Sequence, residues 1–329
     1  MSTMLFVLAP LGLMAVALSM CFVGCGFPTS GEAGPPYSNV VLNEASLIAY
    51  WPLSDLAGPT TPLTGNLQGS TGVGTALDLS GNGHNGTYTI PPAYQMGATI
   101  PQIANPTPQN GLNLHQTSIV PGDAVQSGSK NLPACAQFEG GYVNIPWAAN
   151  SPSLGDFTIE AWIKPQWNLT GFDWVVFGGI TTTTGFAVYI NTNNNWEFSI
   201  GNGSGLTTID TMVPAAVDGA VSYVAVTFQS ATQALSLWIN PDSDTSAPPT
   251  AAWPPNPNTT TNYVAIDQTQ PMTFFIGAGA TQLPLRTQPM GNGSPEAPFQ
   301  GFIQSVALYN TALDPTDLAS HFASGAASS

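Results

Sequence analysis

The chain contains many short segments of β-branched and aromatic residues that are bounded by Gly, Pro or Asn. In the segment 157–164, apolar residues recur at every second position, and successive side chains of a strand point to opposite faces. Its odd positions carry Phe157, Ile159, Ala161 and Ile163, and its even positions carry Thr158, Glu160, Trp162 and Lys164. Similar segments occur at 185–190, 196–200, 221–228, 235–240 and 299–309. Repeated short strands of this kind predict an antiparallel β-sandwich.

Local signals also mark the connections. The polar residues 191–195 lie between two strand segments and predict the tip of a hairpin. Near the end of the chain, Asp314 followed by Pro315 predicts the start of a short helix, since Asp is a favoured N-cap and Pro a favoured first helical residue. Leu318 and Phe322, four residues apart, would pack that helix against the sandwich. A helical turn is also predicted at 43–47.

The N-terminal residues 4–24 are apolar and carry no charge. About 20 apolar residues can span a bilayer, and a similar stretch can form the core of a signal peptide. Residues 22–25, Phe-Val-Gly-Cys, resemble the lipobox of bacterial lipoproteins, which implies lipidation of Cys25. Residues 1–25 are therefore a signal peptide or a membrane anchor, and three alternatives stay open: a lipoprotein, a retained anchor or a cleaved signal.

All three alternatives predict that residues 26–329 are extracellular or displayed at the cell surface, with membrane attachment only through the N-terminus. Residues 26–42 contain few apolar residues and predict a flexible tether. The folded domain is then expected at 43–325. The segments 89–134 and 241–262 are rich in Pro with Gly, Asn or Thr, and loops of this length predict insertions at the edge of the sandwich.

The composition restricts the partners of the chain. Only 3 basic residues accompany 18 acidic ones, so the formal net charge is −15. Nucleic-acid binding is excluded because it needs Lys and Arg to neutralise phosphates, and an anionic membrane surface would repel the chain. Three cysteines cannot supply a disulfide framework. Cys135 has no nearby His and is expected to be buried and inert.

Five motifs occur in an order that resembles a known family. They are Tyr-Trp-Pro-Leu at 50–53, Asp-x-Ser-Gly-Asn-Gly-His-x-Gly-Thr at 78–87, Phe-Glu-Gly-Gly-Tyr-Val-x-Ile-Pro at 138–146, Phe-Thr-Ile-Glu-Ala-Trp-Ile-Lys-Pro at 157–165 and Gly-Phe-Ile-x-x-Val-Ala-Leu-Tyr at 301–309. The chain resembles the laminin-G-like, concanavalin A-like jellyroll family. The resemblance implies an all-β, antiparallel two-sheet jellyroll, here with an N-terminal hydrophobic helix and a short C-terminal helix.

A metal site is one candidate. Asp78 and Asn82 lie in a Gly-rich turn that could fold several oxygen atoms around a calcium ion, and some members of the family hold a structural calcium in a comparable loop. The alternative is a tight turn in which Asp78 caps backbone N–H groups. No cofactor is required on either interpretation.

A carbohydrate site is the second candidate. Such sites combine an aromatic platform with amide and carboxylate groups. The residues in or near polar loops that fit this chemistry are Trp167, Trp174, Asn193, Asn194 and Trp196. Packing of these rings at the rim of the sandwich is the alternative. Catalysis is not expected, because Glu160 has no partner acid on its strand for glycoside hydrolysis and no Ser-His-Asp arrangement is recognisable.

These observations predict a non-enzymatic binding module at the cell surface, which recognises carbohydrate or another surface protein through loops on a rigid jellyroll. The first alternative is a structural component of a surface or appendage. The second is a glycoside hydrolase of the concanavalin A-like class.

Overall fold

The computed structural model describes residues 37–55, 71–90, 112–123, 134–147, 155–166, 173–179, 183–215, 220–241, 250–251, 272–279 and 299–326. All of them belong to one compact unit, residues 34–329. The predicted signal peptide or anchor, including Cys25, lies outside the described residues. No helix within the described ranges has the length and apolar character needed to cross a membrane.

The described part of the chain is built mainly from strands. The elements in chain order are α1 (Tyr37–Asn43), β1 (Leu47–Trp51), β2 (Thr71–Ala76), β3 (Gly86–Ile90), β4 (Leu112–Thr117), a 3₁₀ turn (Pro121–Asp123), β5 (Ala134–Glu139), β6 (Tyr142–Trp147), β7 (Phe157–Pro165), β8 (Asp173–Gly178), β9 (Phe186–Ile190), β10 (Asn195–Gly201), β11 (Leu206–Pro214), β12 (Ser222–Gln229), β13 (Ala234–Pro241), β14 (Thr250–Ala251), β15 (Met272–Ile276), β16 (Gln300–Tyr309) and α2 (Pro315–Ala326).

The strands form two eight-stranded sheets. Sheet A has the order β14-β13-β12-β7-β16-β5-β4, with β1 paired to β16, and sheet B has the order β11-β10-β9-β8-β15-β6-β3-β2. Neighbouring named strands pair antiparallel in both sheets. The predicted antiparallel two-sheet sandwich is therefore confirmed, and the predicted hairpin is the β9–β10 pair.

The core lies between the sheets and is made by one face of each strand. In β7, the odd positions predicted from the sequence all enter this core. The Phe157 ring lies 5.2 Å from that of Phe186, 6.2 Å from that of Phe198 and 5.9 Å from that of Phe228, measured between ring centroids. Rings from both sheets thus meet around one side chain, which fixes how the sheets pack.

Two predicted boundaries differ from the structure. Helix α1 begins at Tyr37, inside the segment predicted to be a tether, because Tyr37 and Val41 lie one helical turn apart and are both fully buried. The predicted turn at 43–47 is the connection that follows this helix. The predicted insertion 89–134 also contains β4, which pairs with β5 and is therefore part of sheet A.

The C-terminal helix is confirmed with its predicted cap. The Asp314 carboxylate accepts hydrogen bonds from the N–H groups of Thr316, at 2.7 Å, and Asp317, at 3.0 Å. Leu318 and Phe322 are both buried. A Cβ on Gly325 would lie 2.3 Å from Trp162 Cζ2, so only glycine allows α2 to lie this close to sheet A.

A buried carboxylate connects both helices to the outer face of sheet A. Glu160 of β7 is 0% exposed. Its Oε1 accepts hydrogen bonds from the hydroxyls of Tyr37, at 2.8 Å, and Tyr309, at 2.7 Å. The hydroxyl of Tyr223 donates to Oε2, and His321 Nδ1 lies 3.1 Å from each oxygen. The carboxylate thus holds groups from α1, α2, β12 and β16 at one point.

The charges within this cluster support each other. Burial alone would raise the pKa of Glu160, but the charge of His321 and the hydrogen bonds from His321, Tyr223 and Tyr309 lower it below its usual value. Burial alone would lower the pKa of His321, but the charge of Glu160 and the hydrogen bonds to Glu160 and Glu44 raise it from 6.5 to about 9. The pair is therefore ionised at neutral pH.

Replacing Glu160 by Ala should lower the free energy of unfolding by about 3–5 kcal/mol, because the protonated imidazole and three hydroxyls would stay buried without their acceptor. Glu44→Ala is the matched control. Glu44 also pairs with His321, at 3.3 Å, but its side chain is 30% exposed, so its loss should cost about 1 kcal/mol or less. Urea denaturation measures both values, and equal losses in the two variants would contradict the central role of Glu160.

The same cluster predicts how stability depends on pH. Since folding raises the pKa of His321, its contribution is complete below pH 6.5 and is lost as the pH rises through about 9. Since folding lowers the pKa of Glu160, its contribution is present above pH 4.5 and is lost on further acidification. Urea midpoints measured from pH 2 to 10 should therefore decrease towards both the acid and the alkaline end of the range, and His321→Gln should flatten the alkaline decrease. An unchanged alkaline decrease in this variant would refute the assignment.

Candidate functional site

Polar side chains meet on the outer face of sheet B, where β9, β10 and β11 lie side by side. The opposite face of these strands carries core residues such as Val188 and Phe198. On the outer face the register places Tyr189 opposite Glu197, and Glu197 opposite Asp210. This row lies near the edge of the sheet, because β11 is its last strand.

Two sets of hydrogen bonds order this surface. Asn191 donates through Nδ2 to Glu197 Oε1 and to Asp210 Oδ2, the latter at 3.2 Å. One row further along the strands, the hydroxyl of Tyr189 lies 2.9 Å from that of Ser199. The Ser199 hydroxyl in turn lies 2.7 Å from that of Thr208. The side chains are therefore held in place before any ligand arrives.

The two carboxylates of this row differ in their surroundings from ordinary surface acids. Burial raises the pKa of Glu197, and the nearby charge of Asp210 raises it further, while hydrogen bonds from Tyr189 and Asn191 lower it in part. Both acids are half-buried, and Thr208 beside them is exposed. The row thus offers hydrogen-bond acceptors and hydroxyls at a partly desolvated surface, where such bonds count for more than in water.

Three of the predicted binding residues lie in or beside the strands of this region. The register pairs Trp174 of β8 with Tyr189 of β9. Asn193 lies exposed in the β9–β10 turn, and Asn194 donates through Nδ2 to the carbonyl of Ala215, at 3.1 Å. Trp167 lies outside the described residues.

Trp196 requires a correction. It is 1% exposed and belongs to the main core. The hairpin register places it opposite Ile190, whose side chain is also in the core. Paired residues of neighbouring strands share a face, so this ring cannot form a platform at the surface. The run of asparagines before Trp196 made it resemble a loop residue in the sequence.

The Glu197–Asp210 pair was not predicted from the sequence. The spacing considered there, around Glu160, was that of two acids on one face of a single strand, whereas Glu197 and Asp210 lie on adjacent strands. Only the register of β10 with β11 brings them together. Glu160, the acid considered in the sequence analysis, instead lies between sheet A and the two helices that pack on it, away from solvent.

The turn with the predicted metal ligands is held by its own hydrogen bonds. Asp78 Oδ1 accepts from the N–H groups of Tyr50 and Ser80, and Oδ2 accepts from that of His84, each at 2.9 Å. Asn82 donates through Nδ2 to the carbonyl of Ile48, at 2.8 Å. In the described part of the chain, no three His, Cys, Asp or Glu side chains are placed to hold a metal. This geometry matches the capped-turn interpretation, and the calcium ion stays a prediction.

Replacing Asp78 by Ala should lower the free energy of unfolding by about 1–3 kcal/mol, because the buried N–H of Tyr50 and two further donors lose their acceptor. If the carboxylate acts as a cap, thermal unfolding should give the same loss with excess calcium and with a chelator. If calcium raises the melting temperature of the unchanged chain but not of the variant, Asp78 is a metal ligand instead.

Comparison with known proteins identifies the superfamily to which this fold belongs. A family model described as the concanavalin A-like lectin/glucanases superfamily matches residues 138–319. No curated protein matches the chain.

Among solved structures, a Trypanosoma rangeli sialidase in complex with a 2,3-difluoro-KDN is 13% identical with a TM-score of 0.47, covering 91% of this chain and 35% of the sialidase. A putative carbohydrate binding protein from Bacteroides ovatus is 16% identical with a TM-score of 0.39. The match covers 56% of this chain and 45% of the Bacteroides ovatus protein. The chain thus spans about a third of the sialidase. Because the family match extends over more than half of its residues, the chain belongs to the concanavalin A-like lectin/glucanases superfamily.

Proposed function

We propose that the chain is a non-enzymatic binding module that recognises carbohydrate on the outer face of sheet B. The observation that carries this proposal is the ordered row of Tyr189, Glu197 and Asp210, with Asn191 bridging the two acids. Sugars present hydroxyl donors and an apolar ring face, and proteins recognise them with acceptors next to aromatic side chains. The row supplies such acceptors at one end of a single sheet, while Tyr189, which is fully buried, positions Glu197 from beneath the surface.

The arrangement favours recognition because its polar groups are already oriented. Asn191 also accepts hydrogen bonds through Oδ1 from the N–H groups of Asn193 and Asn195, at 2.8 and 3.0 Å, so it fixes the turn as well as the two acids. A ligand that binds here does not have to order these side chains, which reduces the entropic cost of association.

The negative charge of this surface limits which sugars it would bind. Glu197 and Asp210 lie side by side, and the whole chain has a formal charge of −15. An acidic sugar would be repelled at this surface. The ligands that fit best are neutral sugars or sugars that carry an amino group.

The proposed location is the cell surface or the extracellular space. This rests on the apolar, uncharged residues 4–24, which precede the domain and suit export or anchoring. A surface protein is the alternative partner, and it would meet the domain through the same exposed β9–β11 end.

A glycan array probed with the full chain in mild detergent tests the proposal. We expect binding to neutral or amino sugars, weakened at least about tenfold by Glu197→Gln or Asp210→Asn, since each removes a charged hydrogen-bond acceptor. Asp317→Asn on α2 changes the net charge equally and should have no effect. A silent array together with self-assembly of the chain would favour a structural role instead.

Glycoside hydrolysis is the second candidate, and the facing Glu197 and Asp210 favour it. Retaining enzymes place two carboxyl groups about 5 Å apart across the glycosidic bond, and the Cβ atoms of directly paired residues on antiparallel strands lie about 4.5–5.5 Å apart. The raised pKa of Glu197 would suit a general acid. Release of reducing sugar by the chain, abolished in Glu197→Gln, would establish this activity. Bound sugar that is recovered intact supports the binding module.

A further inference from the structure

A cavity lies on the outer face of sheet A, on the opposite side of the sandwich from the β9–β11 row. Its volume is about 400 Å³, within the range of small-molecule sites. Residues 116–119 and Pro121 form one wall, and Lys164, Val221 and Phe302 form the other. About half of this lining is apolar, and none of these residues is acidic.

Lys164 is an unusual residue in this chain. It is one of only 3 basic residues beside 18 acidic ones, yet it forms no ion pair with any residue in the described ranges. Its ammonium group lies 5.8 Å from the ring centroid of Phe302, which is its direct neighbour in the register of β7 with β16. Both side chains are half-buried and line the cavity. A cation and an aromatic ring therefore share one wall.

The opposite wall is fixed by hydrogen bonds. Gln304 Oε1 accepts from the N–H of Ile119, at 2.8 Å, and from the hydroxyl of Ser118, at 3.0 Å. Cys135 donates through Sγ to the carbonyl of Thr117, at 3.0 Å. Gln304 and Cys135 are buried residues of sheet A, so the wall is tied to the sheet and the cavity is formed without a ligand.

We propose that this cavity binds a small ligand that carries one carboxylate next to an apolar ring face. Lys164 would pair with the carboxylate, while Phe302, Val221 and Ile119 would contact the ring. A cationic ligand finds no counter-charge among the lining residues, and an uncharged ligand leaves the ammonium without a partner. Exposed charges that lie more than about 8 Å from the cavity are largely screened at physiological salt.

Two kinds of ligand carry a carboxylate next to an apolar ring face: a sugar acid and an aromatic carboxylic acid. Ligand-observed NMR titrations of the full chain in mild detergent should separate them, with D-glucuronate and benzoate as probes and D-glucose as the uncharged match of the first. We expect at least one acid to bind. D-glucose, titrated against the Glu197→Gln variant so that the sheet B surface contributes little, should bind at least about tenfold more weakly. Binding of glucuronate identifies a sugar acid, and binding of benzoate alone identifies an aromatic acid.

Variants assign the binding to Lys164. Lys164→Gln should weaken binding of the acid about tenfold, whereas Lys164→Arg should retain it because the charge stays. Ser204→Asp, in the exposed turn between β10 and β11 of sheet B, changes the net charge by the same amount and should change nothing. Binding should also weaken as sodium chloride is raised, as expected for an ion pair, and this test needs no variant.

The proposal is overturned if neither acid binds, if D-glucose binds the Glu197→Gln variant as tightly as the bound acid does, or if Lys164→Gln binds the acid as the unchanged chain does. It does not rest on the carbohydrate surface of sheet B. Glu197→Gln, which should weaken recognition at sheet B, should leave binding of the acid in the Lys164 cavity unchanged.

Discussion

The packing of both helices on the outer face of sheet A depends on one charged group, the Glu160 carboxylate, that is completely removed from water. An isolated buried carboxylate would be strongly unfavourable, and Glu160 is tolerated because three tyrosine hydroxyls and the His321 ring surround it. These partners come from both helices and from two neighbouring strands. The helices can therefore pack on the sheet only in the position that completes this set, and the set in turn explains why Tyr37 belongs to the folded domain.

The two outer faces of the sandwich consequently have different characters. On sheet A, the helices and the Glu160 cluster cover one part, and a preformed cavity with Lys164 lies beside residues 116–121. On sheet B, the β9–β11 end presents two half-buried acids held by Asn191. One face offers a cation and the other offers anions, so the two proposed sites would prefer ligands of opposite charge.

Single strands were easier to interpret from the sequence than pairs of strands. The alternation in β7 correctly separated its core face from its outer face, and Asp314 and Pro315 correctly marked the start of α2. Trp196 was misplaced because its neighbours are five loop-like polar residues, while its actual surroundings depend on the opposite strand. The partnership of Glu197 with Asp210 has the same origin, since no spacing along one strand encodes it.

The amino-acid sequence by itself determined the class of fold, the alternation of each strand, the C-terminal helix and the acidic net charge, because these depend on neighbouring residues and on composition. The tertiary structure alone decided that Glu160 is a buried anchor, that Glu197 faces Asp210, and that Lys164 lines a cavity with Phe302. Each of these depends on strand register and on helix docking, which bring together residues that are far apart in the chain.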